Sequence, residues 1–322
     1  METTIACKVC ANTGNNRLYR VKEMQLGLRD TFTYMECGHC GCMQLTDIPA
    51  NLEKYYPNED YYSFNLGLDI RKKPDMLRRI KSSYLLYGKN KLLGSLLSVG
   101  YTTPDYFSWV KIPQVKYDDA ILDVGTGNGS LLLNLFKIGF TNLTGIDPFI
   151  DKEQHYGSVN IYKKSIYEVE GQFDYIMLHH AFEHMDEPLK VLLRLKGLLK
   201  PGKFLLIRIP LMGMHGWNTY GVNWVGLDAP RHIIIHTIKS MQLLAAEAGL
   251  QMKEIVFDSG PYHLWASEQY KQDVALMDPD SYMVNKNTPR FTKEKMAAFK
   301  KTAAQTNKDG QGDQAAFYLF KP

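Results

Sequence analysis

The sequence predicts an α/β protein in which one doubly wound sheet follows a small cysteine-rich unit. Two observations carry this prediction: the apolar run Asp119–Val124 leads straight into the glycine-rich loop Gly125–Gly129, and all five cysteines lie within the first 42 residues of a 322-residue chain. The composition, 45% hydrophobic and 22% charged, supplies apolar material for a full core and excludes disordered, collagen-like and low-complexity classes.

Charge and hydropathy exclude further classes of protein. A net charge of +4 is too small to indicate nucleic-acid binding by itself. No apolar run reaches the roughly 18 residues that span a bilayer, and residues 1–4 lack the basic and apolar character that begins a secretory signal. We therefore expect a cytoplasmic protein that has no membrane partner.

The cysteines form two C-x2-C pairs separated by 26 residues, a pattern typical of zinc sites with thiolate ligands. These four are Cys7, Cys10, Cys37 and Cys40. The spacer can hold two strands, Arg17–Glu23 and Thr31–Glu36, and His39 and Cys42 are candidate substitute ligands. A disulfide framework is the alternative, which a large chain without a secretion signal disfavours. Because four cysteines close the coordination sphere, we predict a structural zinc ribbon over residues 1–50.

A strand, a glycine loop, a helix and an acidic residue follow one another in residues 119–147. The apolar run is typical of a buried parallel strand. The stretch Ser130–Ile138 has helical spacing, and a second strand, Asn142–Ile146, ends at Asp147. This order is that of the mononucleotide-binding half of a Rossmann-like fold.

The spacing within the loop distinguishes two classes of ligand. Dinucleotide-binding loops have the pattern G-x-G-x-x-G, whereas this loop has G-x-G-x-G directly after Asp123. A carboxylate at that point is poorly placed for a diphosphate but suits a ligand with an ammonium or sulfonium group. Asp147 follows Gly125 by 22 residues, where its carboxylate can accept both ribose hydroxyls. The loop therefore favours S-adenosylmethionine over NAD.

Five further strands and two helices fit the same sheet. The predicted strands are Ser158–Lys163, Phe173–Leu178, Lys203–Ile209, Met252–Phe257 and an antiparallel Ala315–Phe320. The predicted helices are Glu187–Leu199 and Thr237–Ala248. We expect one seven-stranded domain over residues 115–322, joined to the ribbon by a Tyr-rich and basic helical linker or lid over residues 51–114.

On these motifs the chain resembles the class I S-adenosylmethionine-dependent methyltransferases over about residues 115–258. The matching segments are Ile121–Gly129, Thr144–Asp147, Phe173–His184 and Leu198–Gly202. The resemblance implies a Rossmann-like seven-stranded doubly wound methyltransferase sheet and a set of cofactor-binding residues. These are Asp123, Gly125, Thr126, Gly127, Asn128, Gly129, Asp147, Pro148, Ile166 and His179.

A narrower resemblance extends over nearly the whole chain. Some sugar C-methyltransferases and related bacterial enzymes combine a four-cysteine zinc ribbon, a Tyr-rich segment and this domain. The Tyr-rich segment here is Tyr55–Tyr62. Those enzymes carry a Glu-His pair after strand five, whose His looks like a general base. This chain has Arg231-His232 there, so an arginine replaces the glutamate and the acceptor stays open.

Methyl transfer is an in-line displacement, so alignment is the main task, and an oxygen or carbon acceptor also needs a base. Histidine suits that role near neutral pH, and His232 is our candidate catalytic base. Glu183 and His184 either form a turn that starts a helix or bind a metal together with His180. Eight residues are candidate acceptor contacts: Tyr61, Tyr62, His180, His184, His215, Trp217, Trp224 and Arg231.

The leading hypothesis is a methyltransferase with a small-molecule or carbohydrate acceptor, such as a nucleotide sugar or a glycan. An RNA base methyltransferase is the alternative, although His179-His180 stand where an Asn-Pro-Pro-Tyr motif would be expected. A non-catalytic cofactor-binding or zinc-ribbon interaction protein is the third hypothesis. The expected cofactors are S-adenosylmethionine and a structural zinc ion.

Overall fold

The computed structural model of this chain describes residues 5–56 and 75–322, so the predicted acceptor residues Tyr61 and Tyr62 lie outside the described part. The N-terminal unit is an antiparallel meander. Its strands are β1 (Arg17–Lys22), β2 (Thr31–Glu36) and β3 (Met43–Leu45). Tyr34 of β2 pairs with Tyr19 on one side and with Leu45 on the other. One cysteine pair precedes β1 and the other lies between β2 and β3.

Three helices follow in the described part of the predicted linker. They are α1 (Met76–Tyr87), α2 (Lys91–Leu97) and α3 (Tyr106–Lys111). Helix α1 begins at Asp75, whose side chain accepts a hydrogen bond from the Arg78 amide, and ends at Gly88, where φ is +65°. Leu86 of α1 and Phe107 of α3 are buried in one of the apolar clusters of the large sheet. These helices are therefore a packed layer of the core.

The large sheet lies at the centre of the rest of the chain. In chain order its elements and the neighbouring helices are β4 (Ile121–Val124), α4 (Ser130–Ile138), β5 (Leu143–Ile146), β6 (Gln154–Tyr156), β7 (Val159–Tyr162), β8 (Phe173–His179), α5 (Pro188–Leu198), β9 (Leu199–Pro210), α6 (His215–Tyr220), β10 (Ile234–Ile235), α7 (Ile238–Glu247), β11 (Gln251–Phe257), α8 (Tyr262–Lys271), α9 (Lys293–Lys308) and β12 (Gln314–Phe320). The strand order is β11-β12-β9-β8-β4-β5-β7-β6.

The sheet is mixed and has eight strands in the described part, which corrects the predicted seven. Strands β4, β5, β7, β8 and β9 are parallel, while β12 runs antiparallel to both β9 and β11. The seven predicted strands are all present. The extra strand, β6, forms an antiparallel pair with β7 at the edge of the sheet. Three residues are too few for a hydrophobic period, and only the pairing defines them as a strand.

The central strand and helix form at the predicted positions because nearly all of their apolar side chains are buried in the core. All four residues of β4 are buried, as a parallel strand covered on both faces requires. Helix α4 buries five apolar side chains and ends at Gly139, where φ is +120°. Within residues 5–56 and 75–322, no helix is both long and apolar enough to cross a membrane.

The ribbon sheet is completed by a strand from the core. The two residues of β10 pair antiparallel with β3, Ile234 opposite Gln44 and Ile235 opposite Met43, so β10 becomes the fourth strand of the ribbon sheet. The side chain of Thr237 donates a hydrogen bond of 2.6 Å to the Cys40 carbonyl. The ribbon is thus joined to the core by backbone pairing.

A buried arginine joins the same two units by charge. Arg231 is fully buried and its guanidinium pairs with both carboxylate oxygens of Asp228. It also lies 3.5 Å from a Glu23 oxygen and donates a 3.0 Å bond to the Tyr55 carbonyl. Glu23, itself fully buried, follows β1 and accepts amide hydrogen bonds from its own turn. One cation therefore holds together a ribbon carboxylate and a core carboxylate.

Replacing Arg231 by alanine should destabilise the protein strongly. The change would leave Asp228 and Glu23 without their cation, and removing one partner of a buried ion pair costs about 3–5 kcal/mol. We expect that loss in the free energy of unfolding measured in urea. The exposed Arg20 of β1 is the matched control, for which Arg20→Ala should change stability by about 0.5 kcal/mol or less. Equal effects of the two changes would contradict the role of Arg231.

Candidate functional site

The four predicted cysteines converge at the base of the ribbon. Their Sγ atoms all lie within 4.8 Å of one another. The distances are 3.6 Å between Cys7 and Cys40 and 3.5 Å between Cys10 and Cys37. Four thiolates at about 2.3 Å from one tetrahedral zinc ion would be about 3.8 Å apart. The spacing of the thiols therefore fits such an ion.

Backbone groups around the thiols also suit a metal-bound thiolate. The amides of His39 and Cys40 both point to the Cys37 sulfur at 3.4 Å, and the Val9 amide points to the Cys7 sulfur at 3.4 Å. Cys42 is a fifth thiol beside the group, 3.5 Å from Cys7 and 3.4 Å from Cys40. It could replace one of the four ligands without a large movement.

The glycine loop after β4 has the backbone that a bound ligand requires. Gly125, Gly127 and Gly129 have φ of +74°, +54° and +74°, a region that residues with a Cβ seldom adopt. A Cβ on Gly125 would lie 2.7 Å from the Ala181 side chain. The loop therefore keeps its backbone open at the carboxyl end of the sheet, where ligands of such folds bind.

Two acids hold the loop. Asp123 accepts a 2.8 Å hydrogen bond from the Thr126 hydroxyl. Asp147 accepts bonds from the Gly127 amide at 3.0 Å and the Phe149 amide at 2.9 Å. Burial, opposed by the Thr126 bond and reinforced by the Asp147 charge, raises the pKa of Asp123 to about 7. A cationic ligand beside it would restore the ionised form.

Unpartnered polar atoms around this loop fit a polar cofactor. The side-chain amide nitrogen of Asn128 and both ring nitrogens of His179 are buried with no hydrogen-bond partner in the described structure. Burial, with Arg208 adding to it, lowers the pKa of His179 well below its usual value, so the ring is neutral. Together with the glycine backbone, these atoms suit the amino acid, ribose and base of S-adenosylmethionine.

The remaining predicted cofactor residues flank the loop. Pro148 is exposed directly after Asp147, and Ile166 is buried at the start of a short helical turn. The exposed Phe149 ring stacks on Tyr56, with 6.3 Å between ring centroids. Tyr56 also contacts the His184 ring, so the loop after β5 and the exit of β8 meet here.

Glu183, His184 and His232 form a compact cluster at this meeting point. One ligand-type atom of each lies within 4.8 Å of those of the other two. Nε2 of His232 is 3.8 Å from a Glu183 oxygen and 3.8 Å from an Asp228 oxygen. The His184 and His232 rings are 4.8 Å apart. The cluster combines residues from the exit of β8 with residues before β10.

The protonation of the two imidazoles follows from their backbone partners. Nδ1 of His232 lies 2.8 Å from the Gly226 carbonyl, and Nδ1 of His184 lies 2.8 Å from the Arg231 carbonyl. A carbonyl only accepts, so each Nδ1 carries the proton, and in the neutral ring each Nε2 keeps a lone pair. Burial lowers the pKa of His184, which favours this neutral form.

Glu183 is a buried anion. Its side chain is fully buried, and neither oxygen has a hydrogen-bond partner at ordinary distance. Burial alone would raise the pKa of the Glu183 carboxyl, but the His180 ring at 3.5 Å and the His232 and His184 rings lower it to about 2. His180 has φ of +53° and accepts a 2.7 Å bond at Nε2 from Arg208.

The predicted acceptor residues after β9 are spread over two environments. His215 and Trp217 are partly exposed on α6, and the Trp217 ring lies edge-on to Tyr19 of the ribbon at 5.2 Å. Trp224 and Arg231 are buried where the core meets the ribbon. Of the predicted histidines, the structure brings His180, His184 and His232 together around Glu183.

The sequence did not single out Asp228 or Gly226, although both contact His232. Asp228 follows a short helical turn with φ of +36°, and its carboxylate faces both Arg231 and His232. Its position four residues before His232 was a usable signal, because an acid at that spacing in a turn reaches the same side. Gly226 contributes only its carbonyl, for which the sequence has no signal.

This fold and this loop define an S-adenosylmethionine-dependent methyltransferase. A sequence profile of the family described as a methyltransferase domain matches residues 86–255, more than half of the chain. The chain therefore belongs to that family, which confirms the predicted class I methyltransferase domain.

Curated relatives match shorter parts of the chain. EEF1A lysine methyltransferase 2 of Homo sapiens is 43% identical over 51 residues, which are 16% of this chain and 22% of the relative. The tRNA U34 carboxymethyltransferase of Campylobacter curvus is 26% identical over 142 residues, 40% of this chain and 48% of the relative. The chain thus spans about a fifth to a half of the length of these relatives.

Solved structures of similar chains include the cyclopropane synthase MmaA2 of Mycobacterium tuberculosis and the mycolic acid cyclopropane synthase CmaA1. MmaA2 is 16% identical with a TM-score of 0.41, and the match covers 63% of this chain and 78% of that one. CmaA1, complexed with SAH and CTAB, is 13% identical with a TM-score of 0.43 and coverage of 78% and 100%.

We expect one zinc ion per chain, held by the four clustered thiols. Cys37→Ser should abolish the bound zinc and lower the melting temperature, because the ion closes the ribbon. Cys42→Ser is the matched control and should keep the zinc. Elemental analysis of the purified variants measures the bound zinc, and thermal unfolding measures the melting temperature. Loss of zinc in Cys42→Ser, with retention in Cys40→Ser, would move the fourth ligand position to Cys42.

The raised pKa of Asp123 predicts a pH-dependent gain from Asp123→Asn. The folded, ligand-free protein takes up a proton there between about pH 4 and pH 7, so its stability falls as pH rises through that range. The variant escapes this loss and should be more stable than wild type by about 2–4 kcal/mol at pH 8, with little difference near pH 4. Denaturant unfolding at several pH values tests this.

The exposed Asp151 supplies the control for that comparison, since Asp151→Asn should give a difference of about zero at every pH. A gain for Asp123→Asn that does not change between pH 4 and pH 8 would contradict a raised pKa at this position.

Proposed function

We propose that the enzyme methylates a small-molecule or carbohydrate acceptor held against the cluster of Glu183, His184 and His232. The observation that carries the proposal is the position of this cluster beside the cofactor loop, with Tyr56 in contact with both Phe149 and His184. An acceptor that loses a proton requires a nearby group that can take it, and this polar, partly desolvated cluster lies beside the loop.

The chain's residues on the cofactor side would bind and orient. Bound S-adenosylmethionine supplies an electrophilic methyl group. Asp147, already fixed by two backbone amides, would accept the ribose hydroxyls, and the Asp123 carboxylate would face the cationic part of the cofactor. Ile166 would cover the adenine ring of the cofactor. The unpartnered nitrogens of Asn128 and His179 would gain hydrogen-bond partners on the cofactor.

His232 is the residue that we assign to deprotonation of the acceptor. Its Nδ1–H is fixed by the Gly226 carbonyl, so Nε2 can accept a proton. The resulting imidazolium would have two carboxylates, Glu183 and Asp228, at 3.8 Å. Burial would raise the pKa of Asp228, but Arg231 lowers it to about 2, so this carboxylate stays anionic. The pair would stabilise the charge that the base acquires.

A basic groove beside the described linker helices lies away from the proposed transfer site. A groove of about 1210 Å³ is lined by the cations Arg79, Lys89, Lys111 and Lys116. It also includes Asp118, which precedes β4, so the groove lies at the opposite end of the strand from the cofactor loop. These cations therefore do not reach an acceptor at the His232 cluster, which favours a compact acceptor.

An RNA base methyltransferase is the second candidate function. It is favoured by the similarity to a tRNA carboxymethyltransferase over 40% of the chain and by the same basic groove, which could hold a phosphate backbone. The similarity to a protein lysine methyltransferase adds a protein acceptor to the set that has to be tested.

The ribbon and the wider resemblance belong to this proposal as well. We assign a structural zinc ion to Cys7, Cys10, Cys37 and Cys40, and residues 1–50 to the ribbon. We assign residues 115–322 to the catalytic domain and residues 51–114 to a linker whose helices α1 and α3 pack onto that domain as a layer of its core. A ribbon attached to such a domain is similar to the arrangement in sugar C-methyltransferases, and it directs the choice of acceptors below.

Cofactor binding tests the first half of the proposal. Asp147→Ala removes the acceptor of the Gly127 and Phe149 amide bonds and should weaken binding of S-adenosylhomocysteine at least tenfold in calorimetry, a loss of about 1.4 kcal/mol or more. The exposed Asp151→Ala is the control and should bind as wild type does. Tight binding of NAD, with none of S-adenosylhomocysteine, would refute the assignment.

A labelled-methyl screen tests the acceptor. Nucleotide sugars, glycans, quinones, RNA and protein extracts should be offered with methyl-labelled S-adenosylmethionine, and we expect label in a small-molecule fraction. With that acceptor, His232→Asn should lower kcat by about 10²–10⁴-fold while S-adenosylhomocysteine binding is unchanged. The exposed His155→Asn should keep full activity. Label found in RNA alone would favour the second candidate.

A further inference from the structure

The residue types in the cluster of Glu183, His184 and His232 are those of a metal site as well as those that can accept a proton. Two imidazole nitrogens and a carboxylate oxygen are ligands that first-row divalent ions accept, with further positions left open for other ligands. All three atoms lie within 4.8 Å of one another. Ligands at about 2.0–2.2 Å from one ion would be about 3.0–3.5 Å apart, so small side-chain rotations would close the set.

The protonation of the two imidazole rings also favours a metal site. Each imidazole donates its Nδ1–H to a backbone carbonyl, His232 to Gly226 and His184 to Arg231. Histidines that bind metals nearly always make this second hydrogen bond, because it fixes the tautomer and directs the other nitrogen at the ion. Both Nε2 lone pairs are therefore available to a cation.

The Glu183 carboxylate supplies an independent observation. Its side chain is fully buried, and both of its oxygens lack a hydrogen-bond partner in the described structure. Its nearest polar neighbours are His180 Nδ1 at 3.5 Å and His232 Nε2 at 3.8 Å, and a buried anion with no closer donor is unfavourable unless a cation lies beside it. Among the described residues, the two arginines near the cluster are already paired, Arg231 with Asp228 and Glu23 and Arg208 with Asp258. The imidazoles alone do not supply a permanent positive charge.

We propose that Glu183, His184 and His232 together bind a first-row divalent metal ion at the acceptor site. The ion would be of the class of Zn²⁺, Mn²⁺ or Co²⁺, since imidazole suits the later metals and carboxylate the harder ones. His180 is not a ligand in this set. Its Nε2 is occupied by Arg208, which leaves only the protonated Nδ1 facing Glu183.

This inference rests on the proposed function for the location of the acceptor, and it adds a second way to activate it. The ion and a proton compete for the same Nε2 lone pair of His232. In the ion-free protein His232 is the base. A bound ion would be held by Glu183, His184 and His232, and it would supply Lewis acidity that lowers the pKa of an acceptor hydroxyl.

The test uses the whole 322-residue chain with its ribbon loaded with zinc, and Co²⁺ as the probe. Elemental analysis first fixes the zinc content at one ion per chain. Titration with Co²⁺ should then load a second ion, whose visible spectrum lacks the sulfur-to-cobalt charge-transfer band of a thiolate site. Binding of no second ion, or of one whose spectrum shows thiolate ligands, would overturn the proposal.

Variants assign the ligands. Glu183→Gln keeps the size of the side chain but removes its charge, and it should weaken Co²⁺ binding at least tenfold, as should His232→Asn. The matched control is His180→Asn, since asparagine tolerates the positive φ at this position and we expect Co²⁺ affinity within threefold of wild type. Retention of tight binding in both Glu183→Gln and His232→Asn would overturn the assignment, as would its loss in His180→Asn alone.

Calorimetry of S-adenosylhomocysteine, run without added Co²⁺, keeps the two proposals separate. Unchanged binding in every variant shows that the fold and the cofactor site are intact, so a lost Co²⁺ site then reports the ligands alone. A protein that binds Co²⁺ but no S-adenosylhomocysteine would refute the proposed function and leave the metal site standing.

Discussion

The buried guanidinium of Arg231 is the interaction on which the arrangement of the site depends. A cation without solvent requires carboxylates around it, and here they come from two units: Asp228 from the loop before β10 and Glu23 from the turn after β1. The residue that follows this arginine is His232, and the carboxylate that it holds is the one that faces His232. The charge requirement of one side chain therefore positions the imidazole at the cofactor loop.

The same link makes the N-terminal unit part of the support of the segment around His232. The pairing of β10 with β3 begins two residues after His232, and the Tyr34 hydroxyl donates a 2.8 Å bond to the His232 carbonyl. The cysteine turns fix β2 and β3, which in turn fix the backbone of this segment. The four clustered thiols, all within the first 40 positions, are thus mechanically connected to His232, about 190 positions later, without touching it.

The elements that the sequence could predict are those in which local chemistry decides the structure. The strand before the loop, the three glycines and Asp147 are recognisable because each is defined by its own neighbours. The strands β6 and β10 are too short to carry a period and exist through their partners. The convergence of Glu183 with His232, 49 positions apart, is a tertiary event. The aromatic loop around Trp224 predicts an acceptor contact, but the Trp224 side chain is buried against residues of the ribbon.

The two-residue strand β10 also determines how this architecture can be exchanged between proteins. A domain whose sheet is complete within its own sequence can be moved by cutting at its borders, but the ribbon sheet here takes its fourth strand from positions 234 and 235. A chimera that transfers only the first 50 residues would leave one sheet edge open and Glu23 without its arginine. In evolution and in protein engineering, the ribbon and the segment around His232 therefore have to be transferred together.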